Sequence, residues 1–546
     1  MAERFRIIHL AATDAGGLGR SAARLHEGIL AIGQDSSMLV RQKKRSAKET
    51  FQTKIDLAPD LAEKEFAAEV FQRWYLDHNR TPVSNSLFTL NEAGLALETH
   101  PLILDADVIH LHSVARFLSP GSIARLAAIG KPIVWTLHDM RPLTGGCHFS
   151  AGCVGFTANC ARCPQVDWDP YFITEAQLAD QRETIPTAKI TFVAPTEWLA
   201  QKARVSSLLK NARLEVIPYG IETNSFPSRW KPQAKGHLGL ETSTLHLLFV
   251  ANRLGEMRKG FENLAHAIEL CLARPDFKAK ADKGEIALIS LGHPHPRLAT
   301  LGIPYVCLGF LDSDEEMSQL YGAADLFLLP SLEENLPNTL LEAMSSGTPP
   351  IAFATGGVPE IVVQDQTGKL VTPGADADFA AAIETLILDE GLRQTMGENC
   401  RKTIQEQFDN KLEAQRYTKL YAELMTGRPR SARSAETFGF VRGKDYPVTK
   451  LSPMGARLQQ ICTDSLPRPL QKMVAAAEQQ NRANETDLIE LKNLLGVQQN
   501  AIQELQSELD EQRGVLRKHE TTILHQNQIL GSSAIKMLRQ LKLIKK

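Results

Sequence analysis

One pattern constrains this chain more than any other: short, nearly unbroken apolar runs alternate with amphipathic stretches from the start to about residue 425. "FRIIHLAA", "DVIHLH", "PIVWTLHD", "ITFVAPT" and "LEVIPYG" read as strands, and further along so do "LHLLFVA", "IALISLG", "YVCLGF", "DLFLLP", "PPIAFA" and "KLVTP". Strands apolar on both faces belong to parallel sheets covered by helices. Stretches such as "RSAARLHEGILAIG" and "FENLAHAIELCLAR" supply those helices. One doubly wound sheet rarely takes so many strands, and the pattern breaks at "GIETNSFPSRWKPQAKG" (220–236), where Pro, Gly and polar residues replace it. The expected fold class is α/β: two Rossmann-like doubly wound domains, at 1–228 and 229–426, followed by a helical C-terminal extension. Such sheets bind ligands outside the carboxyl ends of their strands, where the strand order reverses. Two of them facing each other define a cleft.

Three stretches set chemistry-bearing residues at such strand ends. "TDAGGLGRSAARLHEG" follows the first strand and opens a helix. Gly16 and Gly17 there let backbone approach a ligand, and the helix start offers free N–H groups to anions. "VANRLGEMRKGFENL" follows the first strand of the second domain and carries Arg253 and Lys259, with Arg258 alongside. Cations in a strand-to-helix loop suit a diphosphate; a solvated basic loop is the plain alternative. "PSLEENLPNTLLEAMSSGTPP" (330–350) sets Glu334 and Glu342 eight positions apart. Along one helix that is about 12 Å of rise, too far to share one small group. A loop that turns into a helix near Pro337 instead folds Glu334 over the helix start, where amides from Asn335 to Thr339 face the same space. Two carboxylates for hydroxyls, with amides and cations for phosphate, fit a sugar, a diphosphate and a ribose in sequence.

"E-N-L-P-N-T-L-L-E" resembles the E-x7-E motif of the retaining glycosyltransferases of the GT-B fold, family 4. "RLGEMRKGF" is similar to that family's phosphate loop, "GGLGR" to its N-terminal glycine loop and "VIPYGIET" to its interdomain turn; the resemblance covers roughly 5–425. It implies that Glu334 holds hydroxyls of the donor sugar, Glu342 the nucleotide ribose, and Arg253 and Lys259 the diphosphate. Gly16 and Gly17 would approach the phosphates or acceptor. Asn335 and Leu336 would border the donor, and Leu311 in "LGFLDS" is a candidate against the base. His138 matches the family's cleft histidine near the transferred sugar and is the catalytic candidate beside Glu334; His112 ranks below it. The chain departs from the family at Asn335–Pro337, where many members carry Gly-Phe-Gly, and Pro337 removes one amide donor. The implied function is a retaining hexosyl transfer from a nucleotide-diphosphate sugar to a glycan or lipid-linked acceptor in cell-surface polysaccharide assembly, with no catalytic cofactor. The alternatives are a GT-B-fold nucleotide-sugar epimerase, which needs no acceptor, and a non-catalytic scaffold built on the C-terminal helix.

Four of the eight cysteines crowd into "CHFSAGCVGFTANCARC": Cys147, Cys153, Cys160 and Cys163. Four thiolates are a full shell for a structural tetrahedral Zn²⁺, and reduced unliganded thiols are the alternative. The segment also resembles an insertion in polysaccharide-assembly members of the family. Asp-x-Asp pairs at 105/107, 167/169 and 376/378 are short enough to arise by chance and are discounted as a catalytic metal site.

After residue 426 the composition turns polar and Gly/Pro/Ser-rich, a linker at 427–470. A seven-residue repeat (Leu488, Leu495, Ile502, Leu509, Leu516, Ile523, Leu530) marks a long amphipathic helix within 471–530. It would serve self-association through 488–530 or lie on its own protein. The tail 531–546 is basic and interleaved with apolar residues, suited to an anionic membrane surface or to solvent. The formal net charge of -2 gives no general pull toward nucleic acid. The start "MAERFRIIHLAATDAGG" lacks a signal-peptide pattern, so the expected location is the cytoplasm, peripheral at the inner membrane face through the tail.

Overall fold

The computed structural model describes residues 4–54, 72–77, 79–84, 87–90, 94–167, 169, 172–228, 231–293, 295–311, 313–428 and 446–447. The expected helix at 471–530, the tail at 531–546 and most of the 427–470 linker lie outside the described residues.

The strands of the first domain are β1 (Arg6–Thr13), β2 (Asp35–Gln42), β3 (Thr50–Lys54), β4 (Val108–Leu111), β5 (Ile133–Thr136), β6 (Ile190–Ala194) and β7 (Arg213–Val216). Those of the second are β8 (Leu245–Arg253), β9 (Ile286–His293), β10 (Tyr305–Cys307), β11 (Leu326–Leu329), β12 (Pro350–Phe353) and β13 (Lys369–Val371). The short β14 (Tyr446–Pro447), inside the expected linker, pairs with the β3 edge at Thr53 and Lys54. The strand orders are β14-β3-β2-β1-β4-β5-β6-β7 and β10-β9-β8-β11-β12-β13, and the pairings are parallel. Two doubly wound sheets were expected, and two are present. All eleven strands read from the sequence form; β2, β3 and β14 are additional.

Alternation across each strand explains the burial on both faces. On β8 and β11, Leu247, Phe249, Leu326 and Leu328 enter one apolar cluster, while Leu248, Phe327 and Leu329 enter the other. On β1 and β5, Ile8, Leu10, Ile133 and Trp135 face one way, and Ile7 and Val134 the other.

Five helices position the site: α1 (Gly16–Ala31), α2 (Phe261–Leu272), α3 (Asp314–Ala323), α4 (Asn338–Ser345) and α5 (Asn410–Met425). The expected boundary assigns α5 to the second domain, but its side chains are buried with the first. Ala414, Tyr417, Leu420, Tyr421 and Met425 join Phe5, Ile7, Leu25 and Val134 in one cluster. Burying a side chain such as Leu420 contributes roughly 1.5–3 kcal/mol, enough to hold α5 there. The chain crosses between domains twice at one place. The Ile221 N–H donates to Phe408 O at 2.8 Å, and the Asn410 N–H to Ile221 O at 3.0 Å.

Candidate active site

The strand order reverses between β1 and β4 in the first sheet and between β8 and β11 in the second. Most of the chemistry-bearing residues named above follow these strands. β8 ends at Arg253, whose side chain lies outside the described residues. The loop after it closes in a 3-10 turn, Met257–Lys259, that ends on Gly260 at the start of α2. Gly260 has a φ of 69°, and a Cβ there would stand 1.8 Å from Pro330 O. Only glycine lets the Lys259 loop lie against the loop after β11.

That contact assembles the charged centre. Glu334 Oε1 takes Lys259 Nζ at 2.6 Å and Arg258 at 2.9 Å. Burial would raise the Glu334 carboxyl, but the neighbouring Arg258 and Lys259 outweigh it and bring it down to about 2. Arg258 also donates to Glu333 O at 2.9 Å, pairs with Glu256 at 3.0 Å and stacks over Phe149 at 4.5 Å. The sequence put Arg258 beside the site; the structure puts it at the centre.

Glu342 sits on α4, 2% exposed, and both its oxygens are engaged. Arg24 of α1 donates to one at 2.6 Å and the Tyr321 hydroxyl to the other at 2.9 Å. Arg24 therefore reaches Glu342 from the opposite domain. Arg20, Arg24 and Arg45 also converge on Asp314, at 3.3, 3.9 and 3.4 Å. Arg24 escaped the sequence reading, although Arg20 and Arg24 at helical spacing on α1 mark a cationic stripe.

Gly17 and α4 meet across the cleft. Asn338, the first residue of α4, donates to Gly17 O at 2.7 Å and to Ser21 Oγ at 2.8 Å. Two helix N-termini thus share one space, which favours negative charge. Pro337 is the N-cap residue, and the helix begins at Asn338. Asn335 donates to the His138 carbonyl at 2.9 Å and accepts from Thr196 at 2.7 Å, tying the loop to β5 and β6. Leu336 is a core side chain, and Leu311 lies against the same cluster.

His138 is buried and fully engaged. Its Nδ1 stands 2.6 Å from the Tyr219 hydroxyl and its Nε2 3.1 Å from His112 Nδ1. His112 Nε2 in turn stands 2.8 Å from His9 Nδ1. Burial holds the His138 imidazole down to about 4, so the ring is neutral at pH 7. His112, His138, Asp139, Arg141 and His148 line a small cavity at the ends of β4 and β5. His9 and His110 also escaped the sequence reading; they share strand parity with Ile7 and Val108, which put them on the face that α5 covers. Members of all three Asp-x-Asp pairs serve structure: Asp105 and Asp107 hold Arg6, Asp169 accepts from the Ile173 and Thr174 N–H groups at a helix start, and Asp376 holds Asn263 and His266.

Residues 301–403 match the model of the family described as "Glycosyl transferases group 1". The sequence is 33% identical over 196 residues to the sulfoquinovosyl transferase of Arabidopsis thaliana, covering 35% of this chain and 36% of that protein. It is 26% identical over 423 residues to a D-inositol 3-phosphate glycosyltransferase of Corynebacterium aurimucosum, covering 76% and 92%. The fold is similar to that of sucrose-phosphate synthase from Thermosynechococcus elongatus, with a TM-score of 0.51 at 19% identity over 77% of this chain and 99% of that one. The fold is GT-B, and the match to the group 1 glycosyltransferase model is confined to residues 301–403. The chain spans 36%, 30% and 52% of the length of the first curated relatives it matches. The group 1 segment contains β11, the Glu334 loop and α4, so the family match falls on the half of the site that carries both carboxylates. Among the described residues no helix is long and apolar enough to cross a membrane.

Proposed function

We propose that the chain is a retaining glycosyltransferase that moves a hexosyl unit from a nucleotide-diphosphate sugar to a glycan or lipid-linked acceptor in cell-surface polysaccharide assembly. The observation that carries this reading is the Arg258–Glu334–Lys259 cluster, set at the strand-order reversal of the second sheet. Relatives named as a sulfoquinovosyl transferase and a D-inositol 3-phosphate glycosyltransferase support it.

The chemistry follows from where charge develops. Breaking the sugar–phosphate bond builds positive charge on the sugar ring and negative charge on the departing diphosphate. Lys259, Arg258 and the α1 and α4 amides meet the negative charge without reorganising, the most effective form of electrostatic catalysis. Arg253 joins them in this proposal. Glu334, held ionised, anchors sugar hydroxyls, and Glu342 takes the ribose as Arg24 gives way. For retention, the acceptor oxygen bonds to the anomeric carbon on the face the diphosphate leaves, and its proton passes to the departing phosphate oxygen. No catalytic metal is assigned a step. His138 positions the acceptor side as a neutral group through its cavity. Self-association through 488–530 and membrane contact through 531–546 complete the proposal and place the enzyme at the cytoplasmic membrane face.

The test is a panel of nucleotide-diphosphate sugars, with binding followed by calorimetry, nucleoside diphosphate release by coupled assay and product anomer by NMR. Binding of one donor with retained configuration is expected. Isomerised sugar from a donor-only incubation would favour the epimerase, and folded protein that binds no donor would end the proposal.

A further inference from the structure

The Cys-rich segment is not absorbed by the donor site, yet it touches it. Cys147, Cys153, Cys160 and Cys163 line one small cavity of the first domain. None forms a disulfide. No three of the four sulfurs stand within 4.8 Å of one another, so a shared ion would draw them inward. Backbone donors are aimed at the sulfurs: the Gly145 N–H reaches Cys160 Sγ at 3.3 Å and the Gly155 N–H reaches Cys153 Sγ at 3.2 Å. Cys160 and Arg162 both hold left-handed backbone, φ 58° and 53°, which costs non-glycine residues roughly 1–2 kcal/mol each. An apolar core has no use for strained backbone and sulfur-directed amides, whereas a thiolate shell around a soft cation uses both.

The same segment reaches across to the second domain. The Ser150 and Ala151 N–H groups donate to the Glu333 carboxylate at 3.2 and 2.9 Å, and the Ser150 hydroxyl at 3.3 Å. Phe149 lies under the Arg258 guanidinium. Glu333 precedes Glu334, and Arg258 pairs with it.

We propose that the four cysteines bind one Zn²⁺ as a closed tetrathiolate site, and that this metal braces the Ser150–Ala151 turn against Glu333 and so sets Arg258 and Glu334 in place. Thiolate ligands in a tetrahedral set select zinc or iron among the common metals, and a site with four protein ligands is structural. The importance of the brace for donor binding rests on the function proposed above; the metal site itself does not.

The test begins with metal analysis of the full chain purified from zinc-supplemented cells. One zinc per chain is expected in the wild type and close to none in Cys160→Ser and Cys163→Ser. Should those variants fail to fold, exchange of the wild type with Co²⁺ decides, because four sulfurs give a tetrahedral cobalt spectrum with sulfur-to-metal charge-transfer bands. Hydrogen exchange then reads the brace without any activity assay. Peptides covering 149–152 should exchange about tenfold faster after zinc is chelated, and Glu333→Gln should give the same acceleration with zinc retained. A folded chain that binds neither zinc nor cobalt, or that binds iron instead, overturns the site. Zinc that can be removed with no change in that exchange overturns the brace. Absence of sugar transfer, with zinc and exchange behaving as expected, counts only against the donor reading.

Discussion

Lys259 holds its ammonium 2.6 Å from the Glu334 carboxylate. In a nucleotide sugar one oxygen separates the anomeric carbon from the nearer phosphorus, so groups that bind sugar hydroxyls and phosphate must be neighbours. This pair meets that demand before any ligand arrives. The two side chains should therefore act as a unit. Glu334→Gln is expected to lower donor kcat/KM roughly 10- to 100-fold, the range for losing a charged hydrogen bond. Lys259→Met should do likewise, and the double variant should lose much less than the product of the two. Strictly multiplicative losses in steady-state assays would show that the two bind independently.

Glu413 gives the fold a pH dependence of its own. It is buried in α5 and accepts from the Gly220 N–H at 2.8 Å, where the chain crosses between domains. Burial lifts its carboxyl to about 8, above the ordinary 4.5. A raised folded-state value contributes stability that is complete below pH 4.5 and is lost as pH rises through about 8. Relative to Glu413→Gln, the wild type should lose about 1.4 kcal/mol per pH unit across that window. Denaturant midpoints of both proteins from pH 5 to 8.5 measure the slope, and a pH-independent gap between them would contradict it.

Arg24 and Glu342 form an ion pair almost wholly out of water, with side chains 3% and 2% exposed. Removing one partner of such a pair strands the other. Arg24→Met should cost about 3–5 kcal/mol, while Arg24→Met with Glu342→Gln should recover much of it. Chemical denaturation of the three variants checks this, and additive costs would mean that the pair adds no coupling.

These residues also show what local sequence can and cannot carry. The central strands, such as β4, β5, β11 and β12, were legible because burial on both faces forces unbroken apolar runs. β2 is polar at both ends and β3 has one apolar residue, Phe51, so neither announces itself. Glu334, Lys259 and the glycines were legible because strand ends and helix starts dictate their neighbours. The partner of Glu342 was not, since Arg24 lies 318 positions away in the other domain. His138 was placed correctly at the end of β5, but its engagement with Tyr219 and His112 depends on strand order, which no single segment contains. Membership of α5 in the first domain is likewise a property of tertiary contact: its apolar face is plain in the sequence, and what covers it is not.

Gly17 offers a test that separates function from stability. It lies in the first turn of α1, its carbonyl accepts from Asn338 at 2.7 Å, and a Cβ there would find nothing within 4 Å. Nothing in the fold therefore requires glycine at this position, unlike Gly16, whose φ is 71°. A residue with no structural need for a missing side chain, at the junction of two helix N-termini, leaves room for something else to enter. Alanine in place of glycine inside a helix stabilises by up to about 1 kcal/mol, so Gly17→Ala should melt at the same temperature or slightly higher. If the space holds the diphosphate or the acceptor, the same methyl group should lower kcat/KM, most visibly through KM for whichever substrate it crowds. Calorimetric melting and steady-state kinetics on one preparation give both readouts. Lowered stability would mean that the glycine serves the fold, and unchanged kinetics would mean that no substrate approaches it.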